Sequence, residues 1–219
     1  MPITRRLLLS ALLFGAISPL VADQEKPIRI ACVGDSITFG AGVEDRPKNN
    51  YPAQLQAMLG EGYEVKNFGV SGATMLKKGN KPYWKLKQFQ TAQDFQPDIV
   101  IIKLGTNDSK PGNWAKHGAE YRADYIEMIE TFRELNSEPK VWICLPVPVF
   151  ATRWGINEAT VSEEVIPEIQ KVAKETGVEI IDLYSPFEGK PELVPDKVHP
   201  NAAGAKVIAE AVRDALTAN

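Results

Sequence analysis

The chain has 219 residues, of which 44% are hydrophobic and 24% are charged. This balance is typical of a globular protein and excludes fibrous, low-complexity and disordered chains. Lys and Arg total 25 against 28 Asp and Glu, which gives a net charge of −3. Because this leaves no cationic excess for a phosphate backbone, the composition argues against a nucleic-acid partner.

Residues 1–22 have the pattern of a secretory signal peptide. Arg5 and Arg6 precede an apolar run at residues 7–21, and the small residue Ala22 suits a cleavage site. The run is shorter than the roughly 20 apolar residues that span a bilayer, so export to the periplasm or the medium is favoured over membrane anchoring. The arginine pair also faintly resembles a twin-arginine signal. Residues 23–219 are then expected to form one domain.

The cysteines and histidines are few. Cys32 and Cys144 both lie in apolar runs, and we expect buried free thiols rather than a disulfide, because strand cysteines usually pack as small hydrophobic side chains. The histidines are His117, expected on the surface, and His199. Neither their spacing nor that of the cysteines is typical of metal ligands, so no metal is predicted.

Short apolar runs alternate with segments of helical periodicity along the rest of the chain. Strands are predicted at residues 28–33, 63–68, 98–104, 141–145 and 178–181, and helices at residues 51–59, 84–93, 121–135, 161–172 and 205–216. Asn50 and Gly60 are expected to cap the first helix, and Pro167 to kink or restart the fourth. This order predicts a three-layer α/β/α sandwich around a five-stranded parallel sheet.

Polar clusters follow the predicted strands, where ligands bind in parallel α/β sheets. They are residues 34–38, 67–72, 105–108 and 196–199. A serine such as Ser36 after a strand is most often a turn or capping residue. His199, however, follows Asp196 by three positions, and Pro200 is expected to begin the last helix and hold His199 at its N-terminus. Together the clusters contain a hydroxyl, an imidazole, a carboxylate and candidate oxyanion donors, as acyl transfer requires.

In these blocks the chain resembles the SGNH hydrolases, also called GDSL esterases and lipases. Gly-Asp-Ser at Ser36, the glycine block at Gly69, Gly-x-Asn-Asp at Asn107 and Asp-x-x-His at His199 occur in family order over the predicted mature chain. The resemblance implies a flavodoxin-like fold, Ser36 as nucleophile, His199 as base and Asp196 as its orienting partner. It also implies an oxyanion hole formed by the N–H groups of Ser36 and Gly69 and the Asn107 amide, with no cofactor.

Other interpretations of these sequence blocks, as an α/β-hydrolase, a nucleotide-binding protein or a carbohydrate-binding module, fit the residues less well. Thr38 stands where the α/β-hydrolase motif Gly-x-Ser-x-Gly has its second glycine, and no glycine-rich nucleotide loop is present. A non-catalytic carbohydrate-binding module would not need Ser36, Asn107, Asp196 and His199 together. We therefore expect an esterase.

The residue composition of the loops that follow the strands is what indicates the substrate. Four aromatic residues lie in or beside them and are candidates for stacking on a sugar, although packing is their more common role: Tyr83, Trp84, Trp114 and Trp154. The segment 153–157 is similar to exported bacterial carbohydrate O-acetylesterases of the sialate type. A small-acyl ester of a glycan, contacted by Arg153 and Trp154, is therefore predicted. A lysophospholipase-like, thioesterase-like or aryl esterase activity is the alternative.

Lys103 lies inside an otherwise apolar predicted strand. An unpaired charge there would be costly, so a carboxylate partner is expected. The sequence does not identify that partner or the oligomeric state.

Overall fold

The structure, a computed structural model, describes residues 26–218. The predicted signal peptide lies outside these residues. Within residues 26–218, no helix combines the length and the apolar character needed to cross a membrane.

The centre of the fold is a parallel sheet of five strands in the order β2-β1-β3-β4-β5. This is the strand order of flavodoxin-like folds, and it confirms the predicted three-layer architecture. Residues 30–33, in an interior strand of this sheet, are fully buried, as expected for a strand with helices on both faces. The strands are β1 (Ile28–Gly34), β2 (Tyr63–Gly69), β3 (Ile99–Lys103), β4 (Lys140–Cys144) and β5 (Glu179–Ile181).

The connections contain helices of unequal length. They are α1 (Ser36–Phe39), α2 (Arg46–Asn49), α3 (Tyr51–Leu59), α4 (Lys87–Asp94), α5 (Pro111–His117), α6 (Tyr121–Arg133), α7 (Glu158–Thr160), α8 (Ile166–Thr176) and α9 (Ala202–Thr217). The predicted caps of α3 are confirmed, since the Asn50 side chain accepts a hydrogen bond from Ala53 N and Gly60 ends the helix. A π-helical turn (Val161–Val165) joins α7 to α8, and Pro167 lies in the first turn of α8. Pro167 therefore stands where a new helix begins.

The helices cover the sheet with one apolar cluster on each face. Tyr125 of α6 and Ile169 of α8 belong to one cluster, and Leu55 of α3 and Ile208 of α9 belong to the other. Cys32 and Cys144 are buried and free, as predicted. The expectation that His117 is exposed is only partly right, because its side chain is 27% exposed and its Nδ1 lies 4.0 Å from Glu120.

Candidate active site

Ser36 occupies the junction between β1 and α1. The Asp35 carboxylate accepts a hydrogen bond of 2.9 Å from Ile37 N and so caps α1, which begins at Ser36. A Cβ atom on Gly34 would lie 2.1 Å from the Thr38 hydroxyl oxygen, so only glycine permits this tight turn. The turn places Ser36 at the carboxyl edge of the sheet.

His199 lies within hydrogen-bond distance of both Ser36 and Asp196, the two residues predicted to act with it. His199 Nε2 is 2.9 Å from Ser36 Oγ, and His199 Nδ1 is 2.8 Å from Asp196 Oδ2. With the proton on Nδ1, Nε2 can accept the serine proton while the carboxylate fixes the ring. The geometry is that of an activated serine nucleophile.

The Asp196 carboxylate is itself held by the backbone. Its Oδ1 accepts hydrogen bonds from the N–H groups of Val198, at 2.9 Å, and His199, at 2.6 Å. Burial acts to raise the pKa of Asp196, but these hydrogen bonds and the contact with the His199 ring outweigh it and lower the pKa. Asp196 is thus kept ionised, as an orienting partner of the imidazole must be.

One sequence prediction about this segment is wrong. α9 begins at Ala202, and Asn201 caps it by accepting a hydrogen bond from Gly204 N. Pro200 therefore precedes the cap instead of being the first helical residue. His199 is oriented by Asp196, not by the first turn of α9.

A cleft of about 360 Å³ opens over Ser36 and His199. The Asn107 side chain lines this cleft and donates a hydrogen bond of 3.1 Å from Nδ2 to Ala73 O. An amide nitrogen carries two hydrogens, so the second remains available to a ligand. Within residues 26–218, the N–H groups of Ser36 and Gly72, both cleft residues, donate to no acceptor. The cleft therefore has candidate oxyanion donors.

Gly69 does not belong to this group. Its N–H donates to Asn67 Oδ1 at 2.9 Å, and it remains in β2, paired with Gly34. A Cβ atom there would lie 2.2 Å from Phe39 N, so glycine is required because β2 packs directly against α1. The structure therefore does not support the prediction that the Gly69 N–H binds the oxyanion, and Gly72, in the loop beyond the strand, is the candidate donor in its place.

Lys103 finds its expected carboxylate partner in Asp35, one residue before Ser36. Its Nζ lies 3.2 and 3.1 Å from the two carboxylate oxygens and 2.7 Å from Thr106 Oγ1. Lys103 is 1% and Asp35 0% exposed, so the ion pair is fully buried beneath the candidate nucleophile.

Asp108 is a second buried carboxylate near the site. It accepts hydrogen bonds from Met75 N at 3.0 Å and Leu76 N at 2.8 Å, and so anchors the loop after β2. Burial raises the pKa of Asp108 to about 7, and the charge of Asp35 acts in the same direction, although both hydrogen bonds oppose the shift.

Trp154 is the aromatic residue that the fold presents to the cleft. Trp154 and Gly155, both with positive φ (51° and 81°), form the centre of a tight turn closed by hydrogen bonds between the backbones of Arg153 and Ile156. Trp154 is 55% exposed, and its ring centroid lies 5.3 Å from that of His199.

Arg153 supports that indole. Its guanidinium lies 4.3 Å from the Trp154 ring centroid and donates a hydrogen bond of 3.0 Å to Asp196 O. The other aromatic candidates make packing contacts away from the cleft: Tyr83 is fully buried, the partly buried Trp84 packs edge-on against Phe89, and the ring of the partly buried Trp114 lies 5.1 Å from that of Tyr121.

The model of the GDSL-like lipase/acylhydrolase family matches residues 32–207. The chain is also 44% identical over 213 residues to an acetylxylan esterase of Xylanibacter ruminicola, an alignment that covers 89% of this chain and 44% of that protein. The chain thus spans less than half the length of this relative.

Solved structures share the fold at low sequence identity. A carbohydrate acetylesterase of Sinorhizobium meliloti superposes with a TM-score of 0.68 at 21% identity, over 88% of this chain and 99% of that one. The aryl esterase of M. smegmatis gives 0.67 at 22% identity, over 87% and 98%. At these identities the likeness concerns the fold alone.

Proposed function

Because the chain belongs to the GDSL-like lipase/acylhydrolase family, we propose that it is a serine esterase that removes acetyl groups from carbohydrates. The observation that carries this proposal is the hydrogen-bonded series from Ser36 Oγ through His199 to Asp196 at the floor of an open cleft. The similarity to an acetylxylan esterase supports an acetyl group as the acyl part and a glycan as the alcohol.

The first half of the reaction acylates the serine. Ser36 Oγ attacks the ester carbonyl carbon while His199 Nε2 takes the hydroxyl proton, which leaves a tetrahedral oxyanion. The free hydrogen of Asn107 Nδ2 and the N–H groups of Ser36 and Gly72 bind this charge. One such donor lowers the barrier by about 3–4 kcal/mol. His199 then gives its proton to the departing sugar oxygen, and the ester C–O bond breaks.

The second half restores the enzyme. Water gives a proton to His199 and attacks the acetyl-serine, and the same donors hold the second oxyanion. Release of acetate and return of the proton to Ser36 Oγ complete the cycle. Every proton is carried by groups of this chain, with Asp196 stabilising the imidazolium that forms in each half.

The volume of the cleft favours a small acyl group, and its exposed indole favours an alcohol with an apolar ring face. A volume of about 360 Å³ lies at the lower end of ligand pockets. Trp154 offers an exposed indole beside His199, where a sugar leaving group would stack. Arg153 holds that indole in place and is a positioning residue for the sugar.

The decisive experiment measures acetate released from acetylated xylo-oligosaccharides, in parallel with p-nitrophenyl acetate, butyrate and octanoate. The wild-type chain should release acetate and prefer acetate over octanoate, and Ser36→Ala should be inactive on every ester. No acetate from the oligosaccharides, or a preference for the octanoate, would refute a carbohydrate acetylesterase.

We also propose that the enzyme acts outside the cytoplasm, on the strength of the signal-peptide pattern at residues 1–22. Expression of the full chain in a bacterial host, followed by fractionation and N-terminal sequencing, tests this. A cytoplasmic product that retains residues 1–22 would contradict export.

A further inference from the structure

One cation lines the cleft without a role in ester hydrolysis. The side chain of Lys110 lies on the cleft wall together with Ser36, Asn107 and His199. Its methylene groups pack beside Gly155, with Cγ 3.7 Å from the position of a Cβ atom on that glycine. The stem of Lys110 is therefore fixed against the turn that carries Trp154.

Lys110 lacks a partner for its charge. Among residues 26–218, no carboxylate lies within ion-pair distance of its ammonium group, and the side chain makes no hydrogen bond. Burial lowers the pKa of Lys110, and the buried carboxylates Asp108 and Asp35 offset only part of this effect. A half-buried ammonium that has lost hydration without gaining a counter-ion favours an anionic ligand.

Two further cations lie beside the cleft. Arg153 stands at the rim on the Trp154 ring, and Lys81 donates a hydrogen bond of 2.9 Å to the carbonyl of the cleft residue Ser71. The described residues that line the cleft include no Asp or Glu, and Asp196 lies behind His199. Among the described residues, Lys110 thus places a positive charge on the cleft wall that no carboxylate of the lining neutralises.

We infer that the enzyme selects acetyl esters of acidic carbohydrates, in which the carboxylate of a uronic acid beside the acetylated position pairs with Lys110. This inference rests on the esterase function proposed above and names its substrate class. The sugar ring would stack on Trp154 while its ester faces Ser36. Lys110 would then be a specificity-determining residue that contacts the alcohol part of the substrate.

The test compares two probes that differ only in charge, acetylated methyl glucuronoside and the corresponding acetylated glucuronamide. We expect kcat/KM for the acid to exceed that for the amide by about tenfold at low salt, the size of one charge-assisted hydrogen bond. Added NaCl should reduce the ratio, because salt screens partly exposed charges. In Lys110→Gln the ratio should fall close to one, and in Lys110→Arg it should persist.

Lys116→Gln is the matched control, because Lys116 is an exposed lysine on α5 that does not line the cleft, and it should keep the wild-type ratio. Free glucuronate should also inhibit the wild-type enzyme more strongly than glucose does, a measurement that needs no variant.

Equal turnover of acid and amide, or a preference that survives Lys110→Gln, would overturn the inference. If acetylated xylo-oligosaccharides are hydrolysed and neither probe is, the inference fails alone. If no acetyl ester is hydrolysed, the proposed function fails.

Discussion

The buried ion pair beneath Ser36 gives a prediction about stability. Lys103 Nζ lies 3.1 Å from Asp35 Oδ2, and both side chains are at most 1% exposed. Lys103→Met keeps the length of the side chain and removes its charge. The Asp35 carboxylate then retains Ile37 N as its one hydrogen-bond donor among the described residues, and Thr106 Oγ1 loses its contact with Lys103.

Removing one partner of a buried ion pair costs about 3–5 kcal/mol, because the other charge is left without compensation. In a domain of this size, 1 kcal/mol shifts Tm by roughly 2–4 °C, so Tm should fall by about 6–20 °C. Calorimetry or far-UV circular dichroism measures the shift. Asp35→Asn should destabilise to a similar degree, and the double variant should lose clearly less than the sum of the single losses.

Lys78→Met is the control, because it breaks an exposed ion pair with Glu120 at 2.8 Å and should leave Tm almost unchanged. If the single variants Lys103→Met and Asp35→Asn melt at the wild-type Tm, the buried pair does not stabilise the fold. If the double variant loses as much stability as the two single variants together, the two charges do not compensate each other.

Three further outcomes concern individual side chains. Asn107→Ala should lower kcat by about 10²–10³ with a smaller change in KM, because its amide binds the oxyanion more than the ground-state carbonyl; a pure KM effect in steady-state kinetics would mark it as a substrate contact. Asp196→Asn should lower kcat/KM, because the charge that fixes the His199 ring and stabilises the imidazolium during the reaction is gone; unchanged steady-state kinetics would mean that the pair does not act together. Burial raises the pKa of Asp108 from 3.8 to about 7, so the folded state binds this proton more tightly than the unfolded chain does. Stability from Asp108 is fully present below its ordinary pKa of 3.8 and is lost as pH rises from there to about 7. Tm of Asp108→Asn relative to that of the wild type should therefore increase between these two pH values, and a constant difference would contradict the shift.

The sheet and its order of elements were predictable because the apolar runs are short, continuous and separated by clear turns. Asn50 and Gly60 carried local signals that the structure confirms. The start of α9 was predicted incorrectly because Pro200 is as compatible with the position before a cap as with the first helical position. The apolar periodicity of the helix does not distinguish these two positions, whereas the cap hydrogen bond that the Asn201 side chain accepts from Gly204 N does.

The candidate site was predictable where the chemistry is local and missed where it depends on three-dimensional packing. Asp196 and His199 are close in sequence, so their contact follows from a single turn. The resemblance implied Gly69 as an oxyanion donor, because the sequence does not reveal that β2 runs through this residue and uses its lack of a side chain against α1. Lys103 required a carboxylate, but Asp35 is 68 positions away and only strand pairing brings them together.

The central claim is that Ser36, activated by His199, is the nucleophile. Its most direct test is to treat the protein with a fluorophosphonate that forms a stable ester with activated serines, and to follow the product by intact mass and peptide mapping. We expect one adduct per chain, on Ser36, formed together with loss of esterase activity and absent in His199→Ala. An adduct on another serine of the cleft, such as Ser71, or labelling that is unchanged in His199→Ala, would contradict this claim.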